Sequence, residues 1–283
     1  MTPTVRQALA QSGLVPVDAR ALLVHVLDRD RAWLAAHAED VLNQDQTTAF
    51  FSLVRRRHDG EPVAYLTGTR EFWGLTLTVT PHVLIPRPET ESVVECALAR
   101  LPRDRAVRIL DLGTGSGAIA LALAHELHNA VVVGSDRSLA ALLVARASAQ
   151  RLAIANAEFV EADWYAGVPA GAWDLIASNP PYVDGGDAHL AQGDLRYEPR
   201  SALSPGADGL AALRVIIGGA RERLVAGGFL IVEHGHDQSD AVRELFRAAG
   251  FSAIAAARDL AGIPRVVAGR SDQTGPGALL PNA

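Results

Sequence analysis

The sequence contains a single cysteine, Cys96, among its 283 residues. A lone cysteine excludes an internal disulfide framework and is typical of a reducing compartment. Residues 1–7 carry no apolar segment of the kind that marks a secretory signal. No apolar run approaches the length that spans a bilayer. We therefore expect a cytoplasmic protein that has no membrane partner.

A surplus of positive charge is also missing. The chain has 32 acidic against 26 basic residues, and its formal net charge is −6. Proteins that bind duplex nucleic acid usually carry a basic surface for the phosphates, so we expect no direct nucleic-acid partner. The only dense cationic run, residues 55–58, precedes Gly60. We interpret this run as the charged last turn of a helix, not as a phosphate-binding patch.

The hydrophobic pattern divides the chain into segments of different period. Residues 1–68 carry apolar side chains at helical spacing and predict a small N-terminal helical domain, with one helix over residues 44–57. Residues 69–85 predict a β-hairpin linker, in which Val83-Leu84-Ile85 pairs with the alternating strand that begins at Leu75. Residues 86–270 predict the main domain. Residues 271–283 are rich in Gly, Pro and Asn and predict a disordered tail.

Strands and helices alternate in the main domain, and its strands read as continuous apolar runs. This pattern predicts an α/β fold with a parallel sheet that is covered by helices on both faces. Ligands of such sheets bind beyond the carboxyl ends of the strands, near the point where the strand order reverses. We therefore expect the functional residues to follow the strands.

A glycine-rich turn follows the first strand of this domain and opens a helix. It reads Asp111-Leu112-Gly113-Thr114-Gly115-Ser116-Gly117. Glycines permit a tight turn and let a ligand approach the backbone closely. Gly113, Gly115 and Ala118 also satisfy the dinucleotide fingerprint. The turn alone therefore leaves a nicotinamide coenzyme, S-adenosyl-L-methionine and a turn without any ligand open.

Polar and aromatic residues follow the next two strands. Asp136 ends the second strand, where an acidic side chain accepts hydrogen bonds from ribose hydroxyls; as the alternative, it only caps the helix after Ser138. Asp163 and Trp164 follow the third strand. A carboxylate there can bind an adenine amino group while the indole packs on the purine face, although Trp164 is equally compatible with core packing.

The fourth strand leads into Asn179-Pro180-Pro181-Tyr182. A planar amide or aromatic amine is a weak nucleophile because its lone pair is delocalised. Its methylation therefore depends on orienting the nitrogen toward the methyl donor and on removing water from it. The Asn179 side-chain carbonyl and the Pro180 backbone carbonyl can accept its N–H groups. The two prolines restrict the turn, and Tyr182 offers a flat face for stacking. We predict that Asn179, Pro180 and Tyr182 are catalytic and that all four residues bind substrate.

The linker motifs are similar to those of a known family. Asn-Pro-Pro-Tyr is shared by methyltransferases of DNA adenine, RNA guanine and protein glutamine, but the linker separates these classes. Residues 56–68, residues 71–73 and residues 84–91 resemble the HemK/PrmC family of peptide chain release factor N5-glutamine methyltransferases. The likeness continues through Glu198-Pro199, residues 208–210, residues 227–229 and Glu233-His234-Gly235, and it covers about residues 55–270 strongly. Gly134-Ser135 departs from it, since a hydrophobic pair is commoner there.

This resemblance implies a class I S-adenosylmethionine-dependent methyltransferase with a Rossmann-like, mostly parallel seven-stranded sheet. The cofactor would be S-adenosyl-L-methionine and the product S-adenosyl-L-homocysteine. The substrate would be the glutamine of the Gly-Gly-Gln motif in class 1 release factors, docked by the N-terminal helices. The implied cofactor-binding residues are Asp111, Gly113, Thr114, Gly115, Ser116, Gly117, Asp136, Asp163, Trp164 and Asn179. No metal is implied.

Three other readings stay open at this point. A nucleic-acid amino methyltransferase would share these residues but would need a recognition region and a cationic surface. A nicotinamide dehydrogenase leaves Asn179-Pro180-Pro181-Tyr182 without a role. A regulatory module that binds cofactor without catalysis has no need of both the acceptor pair and the aromatic face. Arg87, Glu89 and Glu91 either touch substrate or only begin a helix.

Overall fold

The computed structural model describes residues 2–206 and 208–272. They form two units. The helical unit comprises residues 2–69 together with residues 191–197, and the sheet unit comprises the remaining described residues. Within the described ranges, no helix is long and apolar enough to cross a membrane.

The helical unit consists of five helices: α1 (Val5–Gln11), α2 (Pro16–Leu27), α3 (Arg31–Ala36), α4 (Gln44–His58) and α5 (Val63–Thr67). The side chains of Thr4 and Asn43 accept backbone N–H groups at the starts of α1 and α4, which satisfies donors that the helices leave unpaired. Phe50 of α4 is fully buried among the apolar residues of this unit. The predicted helix over residues 44–57 is confirmed, with the basic run in its last turn.

The β-hairpin is present, but its predicted pairing is wrong. Its strands are β1 (Thr69–Phe72) and β2 (Leu75–Thr78), whereas Val83-Leu84-Ile85 forms no strand. Trp73 and Gly74 connect the strands with φ angles of 52° and 69°. Two consecutive positive φ angles are typical of the tight turns whose twist matches a hairpin. Alternation identified a strand correctly, but it carries no information on which neighbour the strand pairs with.

The sheet unit contains seven strands in one sheet and six helices. The strands are β3 (Arg108–Leu112), β4 (Val131–Asp136), β5 (Ala157–Glu161), β6 (Trp173–Ser178), β7 (Leu224–Glu233), β8 (Ser252–Arg258) and β9 (Pro264–Arg270). The helices are α6 (Glu91–Leu98), α7 (Ala118–Glu126), α8 (Leu139–Arg151), α9 (Arg200–Leu203), α10 (Ala211–Ala220) and α11 (Ser239–Ala248). Ser138 caps α8 as expected, because its side chain accepts the Ala141 N–H.

The strand order across the sheet is β5-β4-β3-β6-β7-β9-β8. Strands β3 to β7 run parallel and β9 is antiparallel to both of its neighbours, which confirms the mostly parallel seven-stranded sheet. Residues of α6, α7 and α8 share a buried core on one face of the sheet, and residues of α10 and α11 share the other. The chain moves outward from β3 and then returns to β6 on its other side. The order therefore reverses between β3 and β6, where a ligand cavity is expected.

The predicted disordered tail lies almost entirely outside the described residues. Its first residue, Ser271, is described and buried. The Ser271 N–H donates to Gly228 O at 2.8 Å, and its carbonyl accepts the Gly227 N–H at 2.7 Å. The ordered sheet unit therefore extends at least one residue beyond the predicted boundary at residue 270.

Candidate active site

A cavity of about 470 Å³ lies at the carboxyl ends of β3, β4, β5 and β6, within the sheet unit. It includes most of the residues that the sequence analysis selected. The predicted site residues in its lining are Asp111, Gly113, Thr114, Gly115, Ser116, Asp136, Asp163, Trp164, Asn179 and Pro181. Gly117, Pro180 and Tyr182 are outside the lining. Residues from four separate strand ends thus meet because parallel strands end at one edge of the sheet.

The glycine turn between β3 and α7 forms one wall. Gly113, Gly115 and Gly117 have φ angles of 67°, 55° and 83°, in the left-handed region that favours glycine. A Cβ atom on Gly115 would meet nothing within 4 Å, whereas one on Gly117 would lie 3.1 Å from Ala145 and from Leu121. Gly115 is therefore open to a ligand. Gly117 instead allows α7 to pack closely against its neighbours.

Asp111 is the buried carboxylate of this wall, with 1% of its surface exposed. Its Oδ2 accepts the Thr114 hydroxyl at 2.6 Å and the Ala120 N–H at 3.2 Å. Burial raises the pKa of Asp111 to about 7, against the lowering effect of those two hydrogen bonds. Its Oδ1 is buried without a hydrogen-bond partner among the described residues. A cationic or N–H-bearing ligand group would satisfy that oxygen.

Asp136, the last residue of β4, is held in place by backbone groups. Its Oδ2 accepts the Gly115 N–H at 3.0 Å and its Oδ1 accepts the Ser138 N–H at 2.9 Å. A carboxylate has about four lone-pair positions, so each oxygen can accept a further hydroxyl from a ligand. Asp136 thus joins the glycine turn to the start of α8 and also borders the cavity.

Asp163 is exposed, whereas Trp164 is partly buried and packs against the core on one face of the sheet. Trp164 also lines the cavity, and its ring lies 3.7 Å from the position of a Cβ atom on Gly113. Its φ angle of 50° is unusual for a tryptophan and is the kind of strain that concentrates at functional sites. Trp164 therefore both packs against the core and borders the cavity, and its contact with a ligand stays a prediction.

The surroundings of Gly134 explain why this chain has Gly134-Ser135 where the resembled family more often has a hydrophobic pair. A Cβ atom at this position would lie 2.7 Å from the Thr114 hydroxyl oxygen and 2.8 Å from the Phe159 ring. These distances are shorter than side chains tolerate. A hydrophobic residue here would displace the hydroxyl that binds Asp111, so glycine suits this version of the site.

Asn179 follows β6 and enters the cavity wall with its amide group oriented. Its Nδ2 donates to Thr90 Oγ1 at 3.0 Å. Asn179 and Pro181 border the cavity, while Pro180 is buried behind them. A side chain that uses its NH₂ group in this way keeps its carbonyl oxygen as the acceptor for another molecule.

Tyr182 is anchored by its hydroxyl, which donates to Glu233 Oε1 at 3.0 Å. Burial and the neighbouring Glu233 charge raise the pKa of Tyr182. Glu233 ends β7 and is 1% exposed, and burial raises its pKa to about 7. Glu233 belongs to the Glu233-His234-Gly235 motif, but nothing in its spacing along the sequence points to Tyr182.

Three charged residues before α6 have different surroundings. Arg87 lines the cavity and pairs with the buried carboxylate of Glu198, whose Oε2 also accepts the Ile85 N–H at 3.1 Å. The Glu91 carboxylate accepts the Trp73 N–H at 2.9 Å and so supports the hairpin turn. Glu89 adds a negative charge near Glu233 and raises its pKa. Of the three, only Arg87 borders the cavity.

Comparison with known proteins gives matches to both parts of the chain. A family model described as the PrmC N-terminal domain matches residues 4–68, and one described as the methyltransferase small domain matches residues 92–253. The release factor glutamine methyltransferase of Bordetella pertussis is 52% identical over 266 residues, which are 94% of this chain and 98% of that protein. That of Escherichia coli is 47% identical over 253 residues, covering 89% of this chain and 91% of that protein.

A solved structure supports the fold. The crystal structure of a methyltransferase from Pyrococcus furiosus superposes with a TM-score of 0.55 at 18% identity. It covers 77% of this chain and 98% of that one. At this identity the likeness establishes the shared architecture of the sheet unit and nothing about the substrate.

Proposed function

This chain belongs to the family of release factor glutamine methyltransferases, and we propose on that premise that it methylates class 1 peptide chain release factors. The methyl group would come from S-adenosyl-L-methionine and leave S-adenosyl-L-homocysteine as product. The acceptor would be the side-chain amide nitrogen, N5, of the glutamine in the Gly-Gly-Gln motif. We place the reaction in the cytoplasm, with no direct role for nucleic acid or membrane.

One observation carries the proposal. The Asn179 amide group is bound through its NH₂ to Thr90, and Asn179 borders the same cavity as the glycine turn and Asp136. An acceptor for a planar nitrogen and a candidate nucleoside-binding wall therefore border one cavity. This is the arrangement that transfer of a methyl group to an amide requires.

The residues of the cavity fit the methyl donor. Bound S-adenosyl-L-methionine would supply a methyl group that is activated by a positively charged sulfonium. The unpartnered Asp111 Oδ1 suits an ammonium group, and the open side of Gly115 leaves room for a chain against the backbone. Asp136 would accept the ribose hydroxyls. Asp163 and Trp164 would contact the adenine, and Thr114, Ser116 and Gly117 would complete the turn.

The loop after β6 would hold the substrate. The Asn179 carbonyl and the Pro180 backbone carbonyl would accept the two N–H groups of the glutamine amide, and Pro181 would keep this turn rigid. Tyr182 would stack on the amide plane, its ring oriented by the hydrogen bond to Glu233. The nitrogen loses a proton to water once it gains positive charge, so no general base is required. Positioning and exclusion of water supply the catalysis.

The helical unit would supply the docking surface for the body of the release factor. Its match to the PrmC N-terminal domain covers residues 4–68 and supports this role. A separate docking unit would explain how one glutamine is selected, because the cavity itself contacts only a small part of a large protein substrate.

Labelled S-adenosyl-L-methionine and a purified class 1 release factor test this proposal directly. We expect label on the glutamine amide of the Gly-Gly-Gln motif, located by mass spectrometry of the digested product. A release factor with alanine in place of that glutamine is the matched control and should remain unlabelled. Label that appears only on DNA or ribosomal RNA would rule out the proposed substrate.

A further inference from the structure

Thr90 is a buried residue that the substrate-holding loop depends on. It ends the short 3₁₀ turn Pro88–Thr90 ahead of α6 and is 4% exposed. Its Oγ1 accepts the Asn179 Nδ2–H group at 3.0 Å, although the two residues are 89 positions apart. Within the described part of the chain, Asn179 Oδ1 makes no hydrogen bond. Thr90 thus engages one end of the amide group and leaves the other end for the cavity.

Glu233 is the second part of this arrangement. It lies behind the loop and does not border the cavity. Its Oε1 accepts the Tyr182 hydroxyl at 3.0 Å. Its Oε2 is buried without a hydrogen-bond partner among the described residues. The nearby Thr90 hydroxyl lowers the pKa of this carboxyl group. This buried carboxylate therefore anchors the Tyr182 hydroxyl.

The direction of these hydrogen bonds decides which end of Asn179 is presented. A threonine hydroxyl has a single proton. In the observed geometry the Thr90 oxygen accepts, and it therefore selects the NH₂ end of Asn179. If the hydroxyl were instead free to donate, it could hold the Asn179 carbonyl and turn the NH₂ group toward the cavity. Two NH₂ groups would then face each other when an amide substrate binds.

We propose that Thr90 is a positioning residue for methyl transfer, so that Asn179 presents its carbonyl oxygen to the substrate amide. Glu233 fixes the ring of Tyr182 by accepting its hydroxyl. This inference rests on the proposed function of Asn179 as the acceptor for the substrate nitrogen. It adds Thr90, which borders the cavity, and Glu233, which does not.

Replacing Thr90 by two different side chains tests the inference. Thr90→Val keeps the shape but removes the hydroxyl, whereas Thr90→Ser keeps the hydroxyl. We expect Thr90→Val to lower kcat for release-factor methylation about 100-fold, because a misaligned acceptor is costly for a reaction that depends on positioning. KM for the release factor and Kd for S-adenosyl-L-methionine should change less than about threefold. Thr90→Ser should recover most of kcat.

A second measurement does not depend on methyltransferase activity. The Asn179 side-chain NH₂ group, observed by NMR in ¹⁵N-labelled full-length protein, should exchange slowly with solvent in the wild type and in Thr90→Ser. In Thr90→Val it should exchange much faster, while the backbone amides of β6 remain protected. This comparison separates loss of orientation from loss of folding.

The possible outcomes separate the positioning role of Thr90 from the proposed methylation of release factors. Wild-type kcat in Thr90→Val, or a Thr90→Ser variant as slow as Thr90→Val, would overturn the positioning role. Unchanged Asn179 side-chain exchange in Thr90→Val would overturn it as well. A wild-type protein that does not methylate release factors would instead contradict the proposed function, and the exchange measurement would still decide whether Thr90 orients Asn179.

Discussion

The helical unit and the sheet unit bury different kinds of side chain. Among the described residues of the helical unit, the buried polar side chain is that of Ser12, and the remainder of the core is apolar. The sheet unit buries Asp111, Glu198, Glu233 and His234. Burying an ionisable group costs free energy unless it is paired, so a chain retains such groups where they serve chemistry. The buried ionisable groups that could serve chemistry therefore lie in the sheet unit.

The two units also use their ion pairs differently. In the helical unit, Arg57 joins Asp18 at 2.8 Å and Asp194 at 3.0 Å, and these contacts tie residues 191–197 to α2 and α4. In the sheet unit, Arg87 pairs with the fully buried Glu198 at the edge of the cavity. The two ion pairs of Arg57 hold segments of the helical unit together, whereas the ion pair of Arg87 with Glu198 fixes a residue that borders the cavity.

The largest effect is expected from the core of the helical unit. Phe50→Ala removes a fully buried ring and should lower the free energy of unfolding of this unit by about 3–5 kcal/mol. Urea denaturation followed by circular dichroism measures the loss. Because the residues that line the cavity all belong to the sheet unit, calorimetry should show unchanged binding of S-adenosyl-L-methionine. A parallel loss of cofactor affinity would break the proposed division between the units.

In the sheet unit, an effect of similar size is expected on the rate of methyl transfer. Asn179→Ala removes the proposed acceptor and should lower kcat by about 100–1000-fold, which corresponds to about 2.7–4 kcal/mol. Cofactor binding should remain nearly intact. Steady-state kinetics with a release factor, together with equilibrium dialysis of S-adenosyl-L-methionine, make the comparison. If cofactor affinity collapsed instead, Asn179 would belong to the cofactor side of the cavity.

Asp111→Asn should improve folding and abolish cofactor binding. This carboxyl titrates near 3.8 when unfolded and near 7 in the folded protein, which therefore binds the extra proton between these values. Folding weakens as pH rises through that interval, and the full cost is present above about pH 7. Asparagine cannot ionise, so it should stabilise the ligand-free protein there by about 1–3 kcal/mol.

Denaturation of both proteins from acid to neutral pH measures this effect. The wild-type unfolding free energy should fall more steeply with pH than that of Asp111→Asn. A smaller slope of the same sign should persist in the variant, because burial also raises the pKa of Glu233, from 4.5 to about 7. A variant less stable than the wild type at neutral pH would show that the Asp111 charge supports the fold rather than the ligand.

The smallest effect concerns the ion pairs of the helical unit. Arg57→Ala should cost about 1 kcal/mol of unfolding free energy, because its guanidinium is only partly exposed and binds two carboxylates. Arg6→Ala is the matched control, since its pair with Glu39 is largely exposed and should contribute less than about 0.5 kcal/mol. Added salt should reduce both effects. Equal losses for the two variants would contradict the special role of Arg57.

Parts of the site could be predicted because they depend on local sequence. The glycine turn lies between a strand and a helix, and Asp136, Asp163 and Asn179 each follow a strand. Parallel strands end at one edge, so strand order alone brings these residues together. A flat face of Tyr182 for stacking was predicted from local sequence and stays a prediction, since Tyr182 is outside the cavity lining. The hydrogen bond of its hydroxyl to Glu233 was not predicted.

Other contacts could not be predicted. Thr90 and Asn179 are 89 residues apart, and Glu233 is 51 residues from Tyr182, so no spacing rule connects them. The hairpin partner was wrong for a related reason, because a two-residue period identifies a strand without identifying its neighbour. The pairing of Arg57 with Asp18 was missed in the same way: its position in the last turn of α4 followed from sequence, but its partner did not.

The sequence by itself determined the alternation of strands and helices, the glycine turn and the rigid Asn179-Pro180-Pro181-Tyr182 loop. These features follow from backbone preferences of adjacent residues, which act over a few positions. Only the tertiary structure decided that Thr90 holds the Asn179 amide and that Glu233 accepts the Tyr182 hydroxyl. Such contacts depend on the order β3-β6-β7 and on the packing of α6 against the sheet, which join distant parts of the chain. The sequence thus supplied the reacting groups, and the fold supplied their orientation.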